Sequence, residues 1–362
     1  MAVYSGKSTN EMMTWQDSMW CPDCRSNLAV ADDSTARVVC TKCQRVFQPS
    51  KGIWGFLPTA VASFEDKEKE KQGWTAKAEK DLDAGWDPPP EHYLSLPDYP
   101  HPYYEAASWY LKIVLAYGKP WTGKKTLELG AAECWGTRHF AEAGADAAAL
   151  DYDPTRMEKG QILLDRLPIR FIRLTGDAEC LPFGDNTLDR IFCCSVLHHF
   201  FDLPRAVREI SRTLRPGGLF FGIHEAYHPP HFSKEKTLRM SEDTVPNIEV
   251  GINEGSYTAG YYRKLFRKAG LRFEFINPTW DTRWEGPSLV VGEGEGLYGN
   301  RDYVPKMLRG RAGRNSPTGL IVRLLLRSRM WRIAANPIIF PLIRFQILNW
   351  SQKERIIIAE KP

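Results

Sequence analysis

The clearest pattern along the chain is an alternation of short apolar runs with segments of helical composition. The apolar runs that predict strands are residues 126–129, 147–150, 170–174, 187–196, 219–223, 271–276 and 355–361. Helical segments such as 155–166 separate them. Strands separated by helices of this length predict an α/β protein with a parallel, doubly wound sheet.

The first repeat, residues 125–153, has the pattern of a nucleotide-binding βαβ half. A turn of small residues follows the first strand at Gly130–Gly136, and Asp151 follows the second strand. Small residues let the backbone approach a ligand closely, and a carboxylate at a strand tip can accept hydrogen bonds from ribose hydroxyls. The stretch alone does not distinguish a dinucleotide from another adenosine-containing cofactor.

Polar residues after several strands predict where a ligand binds. Ligands of doubly wound sheets lie outside the carboxyl ends of the strands. The segments that this rule brings to one crevice are Gly130–Cys134, Asp151, Asp177-Ala178, Ser195–His199 and His224-Glu225.

Five motifs in order carry a family resemblance. ELGAAECWG, LDYD, GDAECLPF, DRIFCCSVLHHF and LRPGGLFFGIHE closely resemble the class I S-adenosylmethionine-dependent methyltransferases, over roughly residues 121–280. The closing RIIIAEK resembles that family's antiparallel last strand. The resemblance implies a seven-stranded Rossmann-like sheet and S-adenosyl-L-methionine as cofactor.

The resemblance also implies roles for individual residues. Glu128, Gly130 and Ala132 would surround the methionine moiety, Asp151 the ribose, Asp177 and Ala178 the adenine, and Ser195 to His198 the cofactor and substrate. Where the family usually has glycine, this chain has Ala132 and Cys134. Because the acidic residues Glu128 and Asp151 are both present, we expect the chain to bind the cofactor. The alternative is a catalytically inactive scaffold.

Three histidines are candidate bases for methyl transfer to a hydroxyl: His198, His199 and His224. An equally favoured role for His198 is contact with the cofactor without proton transfer. His224 and Glu225 are expected to form a base and its orienting carboxylate, or only a loop-anchoring pair. No Asp/Asn-Pro-Pro-Tyr/Phe sequence follows the fourth predicted strand, which argues against the amino-methylating enzymes that act on adenine or glutamine.

Paired cysteines near the amino terminus predict a metal site. Cys21 and Cys24 form one CxxC pair, and Cys40 and Cys43 form another fifteen residues later. Four thiolates suit a tetrahedral, closed and therefore structural Zn²⁺ site. The pattern resembles the Trm112-like zinc ribbons and predicts a module at residues 1–60.

The segment 61–120 is expected to be a linker and helical cap. The mixed-charge run 64–82 predicts a solvated helix with neighbouring opposite charges. The aromatic-rich run 92–117 contains a helix, predicted over 105–116, that is expected to pack on the core at 121–280.

A basic amphipathic insertion is predicted at residues 281–353, before the last strand at 354–362. Residues 303–353 contain ten Lys or Arg and no Asp or Glu, whereas the whole chain has a net charge of +4. Bulky apolar residues interleave with these arginines. Packing on the core is the first interpretation, contact with a membrane surface or lipid-linked substrate the second, and nucleic-acid binding is less favoured.

Composition sets the remaining expectations. The chain is 43% hydrophobic and 25% charged, as in soluble globular proteins, and its polar amino terminus has no signal-peptide pattern. Cysteine usage favours a reducing, cytoplasmic location, with peripheral membrane contact as a possibility. The expected activity is O-methylation of a small-molecule, sugar or lipid-linked acceptor, with RNA methylation as the alternative.

Overall fold

The computed structural model describes residues 12–31, 37–228, 233–239, 244–276 and 355–362. The predicted insertion at 281–353 lies outside the described residues. Among the helices in these ranges, none is both long and apolar enough to cross a bilayer.

Twelve strands and ten α-helices make up the described part of the chain. The strands are β1 (Leu28–Val30), β2 (Val38–Cys40), β3 (Val46–Phe47), β4 (Pro49–Ser50), β5 (Ile53–Gly55), β6 (Lys125–Leu129), β7 (Asp146–Asp151), β8 (Phe171–Thr175), β9 (Leu188–Cys194), β10 (Leu214–Ile223), β11 (Arg272–Ile276) and β12 (Ile356–Glu360). The helices are α1 (Phe64–Asp83), α2 (Pro90–Ser95), α3 (Pro102–Tyr117), α4 (Trp135–Glu142), α5 (Pro154–Lys159), α6 (Gln161–Arg166), α7 (Leu203–Thr213), α8 (Lys234–Arg239), α9 (Thr244–Glu249) and α10 (Ala259–Lys268).

The main sheet has the order β11-β12-β10-β9-β6-β7-β8-β5-β4. Strands β10, β9, β6, β7 and β8 pair in parallel, and β12 pairs antiparallel with both β10 and β11. The order changes direction between β6 and β9, so a crevice opens at their carboxyl ends. The mostly parallel α/β sheet is confirmed, including the antiparallel last strand.

The predicted count of seven strands is wrong for this sheet, which has nine. Strand β5 pairs in parallel with β8, and β4 pairs with β5. Both lie within residues 1–60, which were predicted to form the zinc-ribbon module. Ile53 and Trp54 are buried on opposite faces of the sheet, and β5 covers the edge that β8 would otherwise leave open.

The cysteine-bearing segment forms its own antiparallel sheet, β1-β2-β3. It is joined to the main core by backbone hydrogen bonds from Trp20 to Pro182 and from Gly184 to Ser18. Its apolar residues belong to the same buried cluster as the strands β6 and β9. The module therefore packs as part of the molecule.

Helices cover both faces of the main sheet, as a doubly wound fold requires. Helices α7 and α10 contribute to one buried cluster, and α3 and α4 contribute to the other. The helix predicted over 155–166 is divided into α5 and α6 at Gly160. A Cβ atom at Gly160 would lie 2.8 Å from Cys134 Sγ, so the break accommodates that side chain.

Helix α1 confirms the predicted helix, and most of its residues are exposed as predicted, but one side of it is buried. Lys67 and Gly73 are buried, and a Cβ atom at Gly73 would lie 2.6 Å from the carbonyl oxygen of Val250. One turn near the start of the helix contacts residues of the crevice, through Lys67, Glu68 and Glu70. Its charged residues include partners for the site.

Candidate active site

The turn after β6 is held by packing and by Asp151. Gly130 has φ +62°, and a Cβ atom there would lie 2.5 Å from Val196 Cγ2, so only glycine fits. The N–H of Ala132 donates to Asp151 Oδ2 at 2.9 Å. Asp151 therefore lies beside the turn at the end of β7, as the predicted cofactor crevice requires.

Cys134 does not narrow this crevice. Its side chain is fully buried and packs against Gly160, with Sγ in contact with the carbonyl oxygen of Ala132. Both Ala132 and Cys134 have left-handed backbones, with φ of 43° and 64°. The substituted turn thus keeps a glycine-like path, and Gly160 accommodates the extra sulfur.

Glu128 is buried below the turn. Its Oε2 accepts hydrogen bonds from both the N–H and the hydroxyl of Thr137, each at 2.5 Å. Burial raises the pKa of Glu128 to about 8, although the two Thr137 donors favour the charged form. The carboxylate therefore supports the start of α4, and its predicted contact with a methionine moiety stays a prediction.

Lys67 closes the opposite end of the crevice and was not expected from the sequence. Its Nζ lies 2.8 Å from both Asp177 Oδ2 and Glu179 Oε2, and all three side chains are buried. Asp177 and Ala178 were predicted to meet adenine. The structure gives the Asp177 carboxylate a cation partner from α1, hidden in the sequence by the surrounding run of alternating charges.

Ser195 and His224 form one of two histidine pairs at the carboxyl ends of β9 and β10. Ser195 Oγ lies 2.9 Å from His224 Nδ1, and the Tyr103 ring packs edge-on to the imidazole at 4.6 Å. Both residues have left-handed backbones, with φ of 55° and 58°. Such conformations cost about 1–3 kcal/mol each and are concentrated at functional sites.

The other pair is His198 with Glu225, which corrects the expected pairing of His224 with Glu225. Both residues follow the end of β10 at Ile223, where His224 has a left-handed backbone (φ 58°), and the Glu225 carboxylate is directed to His198. Glu225 Oε2 lies 2.8 Å from His198 Nδ1, and its Oε1 accepts from the N–H groups of Val196 and Leu197. His198 is thus oriented by a fully buried carboxylate.

The electrostatics of this pair fix the state of the imidazole. Burial lowers the pKa of His198, with a further contribution from neighbouring His199. Burial alone would raise the pKa of Glu225, but hydrogen bonds from His198 and the two backbone N–H groups outweigh it and lower that pKa. The lowered pKa favours the neutral imidazole, whose Nδ1–H donates to the Glu225 carboxylate and whose lone pair is on Nε2.

His199 has a different environment. Burial alone would lower the pKa of His199, but Glu70 and Glu254 outweigh burial and raise it. Its Nδ1 lies 2.6 Å from the carbonyl oxygen of Asn253 and 3.3 Å from Glu70 Oε1. Neither Glu70 nor Glu254 was expected from the sequence, because both come from segments distant from the strand motifs.

The four predicted metal ligands are brought together. Cys21 Sγ lies 3.6 Å from Cys43 Sγ, Cys24 Sγ lies 3.3 Å from Cys40 Sγ, and all four sulfurs are within 4.8 Å of one another. Zinc–sulfur bonds of about 2.3 Å in a tetrahedron place sulfurs at about 3.8 Å, so the residues fit a zinc ion. The resemblance to a Trm112-like ribbon stays a prediction.

The strand order and the position of this crevice define a Rossmann-like, doubly wound α/β domain. In agreement, residues 127–222 match the sequence family described as "Methyltransferase domain". The match covers β6 to β10, and hence the turn, Asp151 and His198. The chain therefore contains a methyltransferase domain.

Among known proteins, the chain is similar to an uncharacterized methyltransferase of Mycobacterium tuberculosis, with 34% identity over 34% of this chain and 44% of the relative. It is also similar to a demethylmenaquinone methyltransferase of Renibacterium salmoninarum, with 32% identity over 30% of this chain and 43% of the relative. A structure of YcgJ from Bacillus subtilis shares 22% identity over 47% of this chain and 70% of that chain, with a TM-score of 0.40. The chain thus spans less than half the length of these two curated relatives.

Proposed function

We propose that this protein transfers the methyl group of S-adenosyl-L-methionine to an oxygen atom of a small polar acceptor, such as a sugar or a lipid-linked metabolite. The observation that carries the proposal is the His198–Glu225 pair. The carboxylate holds Nδ1–H at 2.8 Å and leaves an Nε2 lone pair in the crevice.

The crevice residues fit the cofactor. The backbone of Gly130 to Ala132 would hold its methionine part and Asp151 its ribose, while Asp177 and Ala178 would meet the adenine after adjustment of Lys67. S-adenosylmethionine supplies an electrophilic methyl group on its sulfonium. The chain's own contribution is to hold both reactants in line and to activate the acceptor.

The lone pair on His198 favours oxygen as the methylated atom. A neutral amine already carries the electron pair that attacks a methyl group, whereas a hydroxyl must lose its proton during transfer. An imidazole held in one tautomer by a buried carboxylate is suited to activating a hydroxyl. The demethylmenaquinone methyltransferase name belongs to the relative and does not specify this acceptor.

The polar surroundings favour an acceptor with several hydroxyl groups. Glu70 and Glu254 contribute carboxylates near the two imidazoles, and these groups accept hydrogen bonds from hydroxyls.

We further propose that the four cysteines bind a structural zinc ion. Peripheral membrane contact through 303–353 in a cytoplasmic protein remains part of the proposal, with nucleic acid less favoured.

Calorimetry with S-adenosylmethionine tests the first requirement. Asp151→Asn should weaken binding about tenfold or more, because a charged hydrogen-bond partner of the ribose is lost. Asp146→Asn is the matched control, since Asp146 is an exposed residue at the other end of the same strand. If the wild type does not bind S-adenosylmethionine, the proposal is refuted in favour of the inactive scaffold.

Radioactive methyl transfer tests the acceptor. The protein and methyl-labelled cofactor are incubated separately with water-soluble metabolites, lipids and RNA from a cell extract. Label that appears in metabolites or lipids with the wild type, and is lost with Glu225→Gln, supports O-methylation with His198 as the base. Label in RNA alone would replace the proposal with the RNA alternative.

A further inference from the structure

Three side chains beside the crevice have the arrangement of a metal site. One ring nitrogen from each of His198 and His199 and one carboxylate oxygen of Glu254 lie within 4.8 Å of one another. His198 Nε2 is 3.9 Å from Glu254 Oε2. We propose that these three residues bind a divalent transition-metal ion, with zinc the best match to the donors.

The hydrogen bonds of the two imidazoles leave lone pairs available for a metal. His198 Nδ1 lies against the Glu225 carboxylate, and His199 Nδ1 lies against the carbonyl oxygen of Asn253. Both oxygens only accept, so both Nδ1 atoms carry hydrogen, and in the neutral imidazole the lone pair is on Nε2; a metal ion binds that form and displaces any proton from Nε2. A second-shell oxygen on the non-ligating nitrogen is the usual arrangement of metal-bound histidines.

The third ligand is held opposite the histidines by its own loop. The N–H of Gly255 donates to the His198 carbonyl at 2.8 Å, and Asn253 Nδ2 donates to the His199 carbonyl at 2.8 Å. Asn247 Nδ2 holds Glu254 Oε1 at 2.7 Å. Residues 253–255 are therefore tied to residues 198–199, and Glu254 is positioned before any ion binds.

The surrounding charge favours a cation. Glu225 is completely buried, and the side chains of Glu254 and Glu70 are only 9% and 13% exposed. Three carboxylates around two imidazoles leave a negative excess at low solvent exposure. Buried charges are stable when they are paired or coordinate a metal.

The donor set selects among ions. Magnesium and calcium prefer oxygen ligands, whereas two imidazoles and a carboxylate suit zinc and other first-row ions. Three protein ligands leave a position open, as in catalytic zinc sites. The four-cysteine site differs in having no open position, so the two sites are chemically distinguishable.

The role of this ion rests on the proposed function and changes one part of it: with His198 Nε2 bound to the ion, the ion and not the imidazole would activate the acceptor hydroxyl. An acceptor hydroxyl at the open position would lose its proton to water, and its oxygen would form a bond with the methyl carbon. The carbon–sulfur bond breaks with its electron pair going to sulfur. The products are the methyl ether, S-adenosylhomocysteine and one proton.

Cobalt titration of the full-length protein loaded with a single equivalent of zinc, which the four thiolates bind first, tests the site. With the cysteine site filled by zinc, Co²⁺ should bind one further equivalent, measured by calorimetry and by visible absorption without thiolate-to-cobalt charge-transfer bands. Glu254→Gln and His199→Gln should each weaken this binding by at least about 100-fold. Glu249→Gln, an exposed neighbour on α9, should leave it unchanged.

The outcomes separate this inference from the proposed function. No additional equivalent in the wild type, or binding unaffected by both ligand variants, would overturn the metal site. Thermal unfolding and calorimetry with S-adenosylmethionine on the same samples show whether each variant is folded. Cofactor binding without Co²⁺ binding overturns only the metal site, and Co²⁺ binding without cofactor binding overturns only the proposed function.

Discussion

Gly255 is where the proposed site depends most directly on one residue's lack of a side chain. A Cβ atom at this position would lie 2.6 Å from the His198 carbonyl oxygen and 2.9 Å from Tyr257 Cε2. The same carbonyl accepts the Gly255 N–H at 2.8 Å. Gly255→Ala therefore forces the loop away from His198, because a backbone oxygen cannot rotate aside as a side chain can.

Two contributions set the size of the effect. Overpacking in a filled interior costs about 1–3 kcal/mol, and losing the Gly255 hydrogen bond costs about 1 kcal/mol more. We expect a loss of about 2–4 kcal/mol in the free energy of unfolding. Because Glu254 is the preceding residue, binding of Co²⁺ at His198 and His199 should weaken in the same variant.

Urea unfolding followed by circular dichroism measures the loss, with an unchanged m-value required for the comparison. Gly260→Ala is the matched control: its Cβ would meet only Thr258 Oγ1, at 3.8 Å, within α10. That variant should gain about 0.5–1 kcal/mol, since alanine favours helix over glycine. A loss below about 0.5 kcal/mol for Gly255→Ala would refute the close contact of the loop with His198.

Three further substitutions test the site's supports. Burial raises the pKa of Glu128 to about 8, so the folded state holds a proton that the unfolded state releases above its ordinary pKa near 4.5. The free energy of unfolding of the wild type should therefore fall between about pH 5 and 8, by up to about 1.4 kcal/mol per pH unit. Glu128→Gln should flatten that slope, measured by urea unfolding. Lys67→Met should cost about 3–5 kcal/mol in unfolding free energy, because two buried carboxylates lose their cation. Lys71→Met, which removes a partly exposed pair with Glu68 at 3.8 Å, should change it by under about 1 kcal/mol. Gly160→Ala should cost about 1–3 kcal/mol through contact with Cys134 Sγ, and adding Cys134→Gly should restore thermal stability; no restoration would contradict the packing described.

The sequence predicts the fold well because its signals are local. Apolar runs buried on both sheet faces, the turn at Gly130 and the Asp202 cap of α7 each depend on residues close together in the chain. The addition of β4 and β5 to the main sheet was not predicted, because β5 pairs with β8, more than 100 residues away, and β4 pairs with β5. Nothing in short apolar segments specifies which sheet edge they extend.

The candidate site was predicted only on its strand side. His198, His199 and Asp151 follow from strand ends, and the structure brings them to one crevice. Their partners Lys67, Glu70 and Glu254 come from segments with no strand motif, and the pairing of Glu225 with His198 reverses the expected one. Such contacts depend on tertiary packing, which neither hydrophobic period nor motif spacing records.

The crevice also explains why the departure from a glycine-rich turn is tolerated. Left-handed conformations at Ala132, Cys134, Ser195 and His224 together cost several kcal/mol, at about 1–2 kcal/mol each. They persist because their neighbours fix them: Asp151 holds the N–H of Ala132, Gly160 accommodates Cys134, and the Ser195 hydroxyl contacts His224. Strain maintained by this many contacts at the carboxyl ends of β6, β9 and β10 is expected of a preformed binding site, and a relaxed scaffold would not need to retain it.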